Sequence, residues 1–405
     1  MKWAVLCASL VVVLTLGGCA EPGALVADMP TPSLTPSPTA TPTPSATPTP
    51  ARNSLTSDQI LAMAGACGGL TAAEPNTTGT PLSDLSQWAA DALQFFASTA
   101  QCAEVPAVIA RDAARTDPDG TVFSSPLQVI DPSCASGTLV SFWAHYDDDL
   151  IFANPALQQS FDSGKCLRTV FFTNSDAGEG NSPYAANREV GIRAAYDSAR
   201  GVSGKWVDRT VLLRNGMTVT LTRPEGDSRI SLLFVRLADG GLSGGGYQRT
   251  GWEGLGKLIS GGLPALHTID TGQEVTLDEL KSMVVEIVNG YHATEVLTSL
   301  PGFAEGSGGD HPDHQSVGRV VASQVDAGLV DPAIVRYAMG YPSGGLSPNI
   351  DPAALDRKLR TFSIYAAHDP VLKCSDPTGC LKLRRFGESL RRQYLFGHTE
   401  LVRVE

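Results

Sequence analysis

The rhythm of apolar and polar positions divides this 405-residue chain into four stretches. Lys2 precedes an apolar run over residues 3–16 that only Ser9 and Thr15 interrupt. Such a run is too short for a comfortable membrane span, and with a positive residue before it, it predicts an export signal over residues 1–18. Residues 19–53 hold almost nothing but Pro, Thr, Ser and Ala in their second half, so they bury no apolar surface and are predicted to be an extended tether. Residues 54–120 are alanine-rich and helical in pattern. Ser83-Asp84 provides a cap, and Leu85, Trp88, Ala89, Ala92, Phe95 and Phe96 then share one face. This predicts a small helical extension. Residues 121–405 form the main domain.

Within that domain the pattern alternates between short apolar runs and 3.6-residue periodicity. Residues 138–143, 168–173, 230–237, 295–298 and 334–339 read as strands. Residues 184–199, 277–289, 314–327 and 352–367 read as helices, and residues 211–222 as a hairpin around Asn215-Gly216. Strands alternating with helices predict an α/β fold. It has a Rossmann-like, mostly parallel sheet covered by helices on both faces, and ligands bind beyond the carboxyl ends of its strands.

Charge narrows the partners. With 30 basic and 42 acidic side chains the net charge is -12, which argues against a polyanion-binding surface and against nucleic acid as a partner. Cysteine usage suggests an oxidising compartment. Leu16-Gly17-Gly18-Cys19 resembles the bacterial lipobox, which implies lipidation of Cys19 and attachment to the outer face of the cell membrane. Beyond Cys7 and Cys19, six cysteines remain, an even number that predicts disulfides. Proximity along the chain favours Cys67–Cys102, Cys134–Cys166 and Cys374–Cys380.

Two polar clusters follow predicted strands: Ala144-His145-Tyr146-Asp147-Asp148-Asp149 and Gly309-Asp310-His311-Pro312-Asp313-His314. Two histidines and one carboxylate are a common ligand set for catalytic zinc, and they leave a fourth position for water. Zinc acidifies that water to a pKa near ~7 and needs no redox support outside the cell. The glycine-rich stretch 239–246 lacks the Lys-Ser/Thr pair of a phosphate loop and reads instead as a mobile loop near the site.

The clusters sit in a wider series: Thr173-Asn174-Ser175-Asp176-Ala177-Gly178-Glu179 after the second strand, then Arg188-Glu189 on the next helix. In order and spacing, the four motifs resemble the LmbE-like, or N-acetylglucosaminyl-phosphatidylinositol de-N-acetylase, family, across residues 137–368. The resemblance implies one zinc per chain, with His145, Asp148 and His314 as ligands. It implies Asp147 as the general base. His311 stabilises the oxyanion or protonates the departing amine, and Asp313 orients a histidine. Arg188 matches a residue on the substrate side, and Asp176 is the surviving acid of its stretch.

Tyr146 stands where the family has proline, and Gly309 where some members have tyrosine. Tyr146 is therefore a candidate to line the site and to supply the missing hydroxyl. The expected function is a zinc-dependent hydrolase that removes acetyl from an N-acetylglucosamine-containing glycan or glycoconjugate outside the membrane. The alternatives are cleavage of another amide or ester at the same metal, and a glycan-binding lipoprotein without turnover.

Overall fold

The structure is a computed structural model that describes residues 121–123, 127, 131 and 134–404, apart from 214 and 373. The expected export signal, tether, Cys19, helical extension and Cys67–Cys102 pair lie outside the described residues.

The strands are β1 (Thr121–Phe123), β2 (Thr138–Trp143), β3 (Cys166–Thr173), β4 (Trp206–Leu212), β5 (Thr218–Pro224), β6 (Ile230–Leu237), β7 (Ala265–His267), β8 (Glu274–Thr276), β9 (Glu295–Ser299), β10 (Val335–Ala338) and β11 (Leu395–Gly397). Nine of them build one sheet in the order β1-β4-β5-β6-β3-β2-β9-β10-β11, and β7 pairs with β8 alone. The central five, β6-β3-β2-β9-β10, are all parallel. β5 is antiparallel to both β4 and β6, and β11 is antiparallel to β10. The hairpin around Asn215-Gly216 is therefore present, with strands longer than the sequence pattern predicts.

The helices are α1 (Ala156–Asp162), α2 (Pro183–Arg200), α3 (Leu255–Ile259), α4 (Leu277–Gly290), α5 (Pro312–Asp326), α6 (Pro352–Ala366), α7 (Pro377–Cys380) and α8 (Phe386–Leu390). Side chains alternate across β2 as strand geometry requires. Val140 and Phe142 join the layer containing Met283, Ile287 and Val321, while Leu139 and Trp143 join the layer containing Ile192, Phe362 and Tyr365. Every residue of β2 and β3 is buried, as expected of a sheet covered on both faces. Helix α4 shows how sequence sets such an element. Thr276 and Glu279 form a capping box at its start, and Leu280, Met283, Val284, Ile287 and Val288 make its buried stripe. Cutting Ile287 to alanine there costs about 2–5 kcal/mol. Among the described residues no helix is long and apolar enough to cross a membrane.

Two features position the site. β3 and β6 lie on one side of β2, whereas β9 and β10 lie on the other. The crevice beyond the carboxyl ends of β2 and β9 is thus the switch point of the sheet, where such folds bind ligands. Helix α5 also comes unusually close to β9, because a Cβ at Gly318 would stand only 2.3 Å from the Ser299 carbonyl oxygen. The first turn of α5 consequently faces the end of β2. Both expected disulfides within the described residues are present. Cys134–Cys166 joins the segment before β2 to the start of β3, and Cys374–Cys380 closes a short loop.

Candidate active site

Each polar cluster is fixed by its own backbone before it meets the other. Asp148 Oδ2 accepts the backbone N–H groups of Ala144 (3.1 Å) and His145 (2.7 Å), so the chain turns sharply after β2 and Oδ1 is left pointing outward. At the start of α5, Pro312 occupies the first turn, where a missing N–H costs nothing. His311 caps the helix by accepting the Asp313 N–H at Nδ1 (3.2 Å). A neutral His311 then carries its proton on Nε2 and is a donor. His314 faces Asp310 Oδ1 through Nδ1 at 3.0 Å, which leaves Nε2 as a lone-pair donor.

The three expected ligand residues meet. His145 Nδ1 lies 3.1 Å from His314 Nε2, His314 Nε2 lies 2.9 Å from Asp148 Oδ1, and His145 Nδ1 lies 3.5 Å from Asp148 Oδ2. Tetrahedral ligands at about 2.0–2.1 Å from zinc stand roughly 3.3 Å apart, so the spacings from His314 Nε2 to His145 Nδ1 and to Asp148 Oδ1 suit neighbouring ligands of one zinc ion. The donor chemistry agrees, since two imidazole nitrogens and a carboxylate oxygen converge where His314 is already oriented by Asp310. His145, His311 and His314 also lie close enough together to share a metal ion.

The electrostatics favour a cation. Burial works against charge on His314, yet Asp148 and Asp310 push its pKa up to about 10. Burial likewise opposes charge on His145, and Asp148 and Asp239 outweigh it. Asp148 is held well below the usual carboxylate range: desolvation would raise it, but His314 and His145 prevail. His311 is driven down to about 2 by burial and by its two imidazole neighbours, so it stays neutral.

Asp147 lies beside this nest but belongs to another network. Its Oδ1 accepts from Arg188 Nη2 at 2.9 Å. Arg188 also donates to the Ser175 carbonyl (2.8 Å) and the Tyr365 hydroxyl (2.6 Å), and its Nε lies 3.0 Å from Asp369. Burial raises Asp147 to about 6, with Arg188 pulling the other way.

Asp313 accepts the Gly240 N–H at 2.8 Å, and its Oδ2 lies 3.6 Å from His145 Nε2, just beyond hydrogen-bond reach. Arg188, expected on the substrate side, is buried and fully engaged with Asp147 and its neighbours. Asp176 is buried too, and its oxygens accept from Gly178, Gly180 and Asp239 backbone N–H groups, so it shapes two loops. Tyr146 does not line the crevice. Its ring packs on Phe171 and Phe234 in the core, and its hydroxyl bonds to Asn174 (3.2 Å) and Glu189 (3.5 Å). The physical reason is alternation: at the strand end, the side chain next to His145 points to the opposite layer.

Sequence reasoning gives no role to Asp239, Asp310, Tyr365 or Asp369. Asp239 follows β6 as Asp147 follows β2, and its Oδ2 lies 3.5 Å from His145 Nε2, so a polar residue after a strand is the available signal. Asp310 lies within the second cluster, one helical turn before His314. Nothing local marks Tyr365 or Asp369.

The family model described as "PIG-L: GlcNAc-PI de-N-acetylase" matches residues 140–325. No curated protein sequence matches the chain. Among solved structures, N,N'-diacetylchitobiose deacetylase from Pyrococcus horikoshii is 13% identical, with a TM-score of 0.36 over 71% of this chain and 88% of that one. A conserved protein from Thermus thermophilus is 13% identical, with a TM-score of 0.31 over 56% and 78%. A teicoplanin-pathway deacetylase triple mutant is 13% identical, with a TM-score of 0.35 over 58% and 84%. The family match falls on the strands and loops that carry His145, Asp148, Asp239 and His314, so residues 140–325 of the chain match the PIG-L, LmbE-like family.

Proposed function

We propose that this protein is a zinc-dependent N-deacetylase that releases acetate from an N-acetylated amino sugar, and that it works outside the cell membrane, anchored through Cys19. The observation that carries the reading is the approach of both His145 Nδ1 and Asp148 Oδ1 to His314 Nε2, with a separately held carboxylate, Asp147, next to them. His145, Asp148 and His314 would hold the ion. When bound, zinc supplies Lewis acidity and makes water acidic enough to act near neutral pH.

The chain's own groups account for the proton traffic. Arg188 occupies Asp147 Oδ1, and the raised pKa of Asp147 suits a base that must both take and return a proton. Asp147 takes the proton of the attacking water as the new C–O bond forms. His311, neutral and protonated on Nε2, donates a hydrogen bond to the carbonyl oxygen as negative charge builds there. Asp147 then passes its proton to the amide nitrogen, the C–N bond breaks, and acetate and a free amine leave. The family's own description, de-N-acetylation of an N-acetylglucosamine lipid, supports an amino sugar as the acyl carrier.

The test combines elemental analysis of the purified protein with amine and acetate release from N-acetyl sugars, N-acetyl amino acids and acetyl esters. One zinc per chain with turnover confined to the sugars is expected. Turnover of the amino acids or esters alone overturns the substrate assignment.

A further inference from the structure

The glycine-rich stretch after β6 leads into Tyr247, a residue that no motif singles out. Its ring is seated by two glycines on two different loops. A Cβ at Gly178, in the loop after β3, would lie 2.3 Å from Tyr247 Cγ, and a Cβ at Gly241 would lie 2.9 Å from its Cζ and hydroxyl oxygen. Both glycines have left-handed φ, 83° and 69°, so alanine would be strained there as well as obstructed. The backbone holds the residue firmly. Its carbonyl accepts from Thr250 N (3.1 Å) and Trp252 N (2.8 Å), and Gly246 N bonds back to the Gly240 carbonyl at 2.8 Å.

This seat adjoins the active site. Gly240, next to the glycine under the tyrosyl hydroxyl, donates its N–H to Asp313, and a Cβ on it would stand 2.6 Å from Asp313 Oδ1. Gly178 lies two residues after Asp176, whose carboxylate fixes the start of the Asp239 loop. The ring is half-buried, and among the described residues no group shares a hydrogen bond with its hydroxyl. Burial, and after it Asp239, Asp176 and Asp313, raise the pKa of that hydroxyl. A phenol clamped by two glycines beside the loop that holds Asp313 is placed to meet a ligand.

We infer that Tyr247 is a substrate-contacting specificity residue, its ring forming one wall of the sugar site and its hydroxyl hydrogen-bonding a sugar hydroxyl. This deepens the deacetylase reading and rests on it.

The experiment compares wild-type, Tyr247→Phe and Tyr247→Leu proteins, all zinc-loaded, for turnover of N-acetylglucosamine oligosaccharides and for calorimetric binding of the deacetylated amine product. Phenylalanine keeps the packing, so zinc content and thermal stability should be unchanged. Loss of one hydrogen bond should raise KM and weaken product binding about five- to tenfold with little change in kcat. Tyr247→Leu should lose more of both. Wild-type kinetics and binding in Tyr247→Phe overturn the assignment while leaving the deacetylase reading intact. A wild-type protein that neither cleaves nor binds any amino sugar overturns both.

Discussion

Asp147 and Asp148 are neighbours in the chain, yet they belong to two regions with opposite electrostatics. Asp148 sits among His145, His314 and Asp310. There imidazoles and backbone N–H groups stabilise its charge more than burial penalises it. Asp147 sits against Arg188, Tyr365 and Asp369, where burial wins and its pKa rises to about 6. One carboxylate is ionised throughout and suits a permanent ligand; the other can exchange a proton near neutrality. Pairs of acids pushed apart in this way divide the labour of an active site. An Asp-Asp dipeptide thus gains two chemistries from the directions its two side chains take.

The largest expected effect separates the regions outright. Asp147→Asn should lower kcat about 100- to 10,000-fold while zinc content stays at the wild-type level. If zinc leaves as well, the two regions are one. In wild-type enzyme the rate should rise with pH through an ionisation near 6, because Asp147 must lose its proton to act as base.

Arg188→Met comes next. It strips a buried carboxylate of its partner, which costs about 3–5 kcal/mol of folding stability in denaturant titrations. Since Arg188 draws the Asp147 pKa downward, its removal should move the acidic limb of the rate profile to higher pH. A limb that stays in place, or moves down, breaks the proposed link between the two residues.

Asp310→Asn tests the other region. Loss of the carboxylate that orients His314 should weaken zinc binding about 10- to 100-fold in a chelator competition, with Asp147 untouched. The smallest effect marks the background for charge changes far from either region. His267 is exposed and pairs with Glu253, whose hydrogen bond raises its pKa. The stabilisation is present below the ordinary histidine pKa and fades as pH rises through the raised one. His267→Gln should change stability by less than about 1 kcal/mol.

The metal-type region is the more legible from sequence because its parts are local. His145 and Asp148 share one turn after β2, His311 and His314 share one turn of α5, and each pair keeps its spacing whatever the fold does. The parallel strands are legible for a similar reason, as short apolar runs bounded by polar residues. The Asp147 region is not. Arg188 is visible on its helix, but that it grips Asp147 depends on α2 and α6 meeting. Tyr365 and Asp369 arrive from far along the chain, Tyr365 lying 177 residues beyond Arg188, with no local mark. Tyr146 and Asp176 mislead for one shared reason: a polar group near a motif suggests a ligand contact, while the fold uses the first in its core and the second to hold backbone N–H groups. The sequence pattern also places the start of one helix late, at residue 314, whereas α5 begins at Pro312, with His311 serving as its cap.

The central claim is one ion held jointly by His145, Asp148 and His314. X-ray absorption at the zinc edge tests it most directly, on wild-type protein and His314→Ala each given one equivalent of zinc. The account predicts two imidazole nitrogens and a carboxylate oxygen at about 2.0–2.1 Å in the wild type. It also predicts loss of one imidazole, or of the ion, in the variant. A wild-type spectrum without imidazole, or two identical spectra, would contradict it.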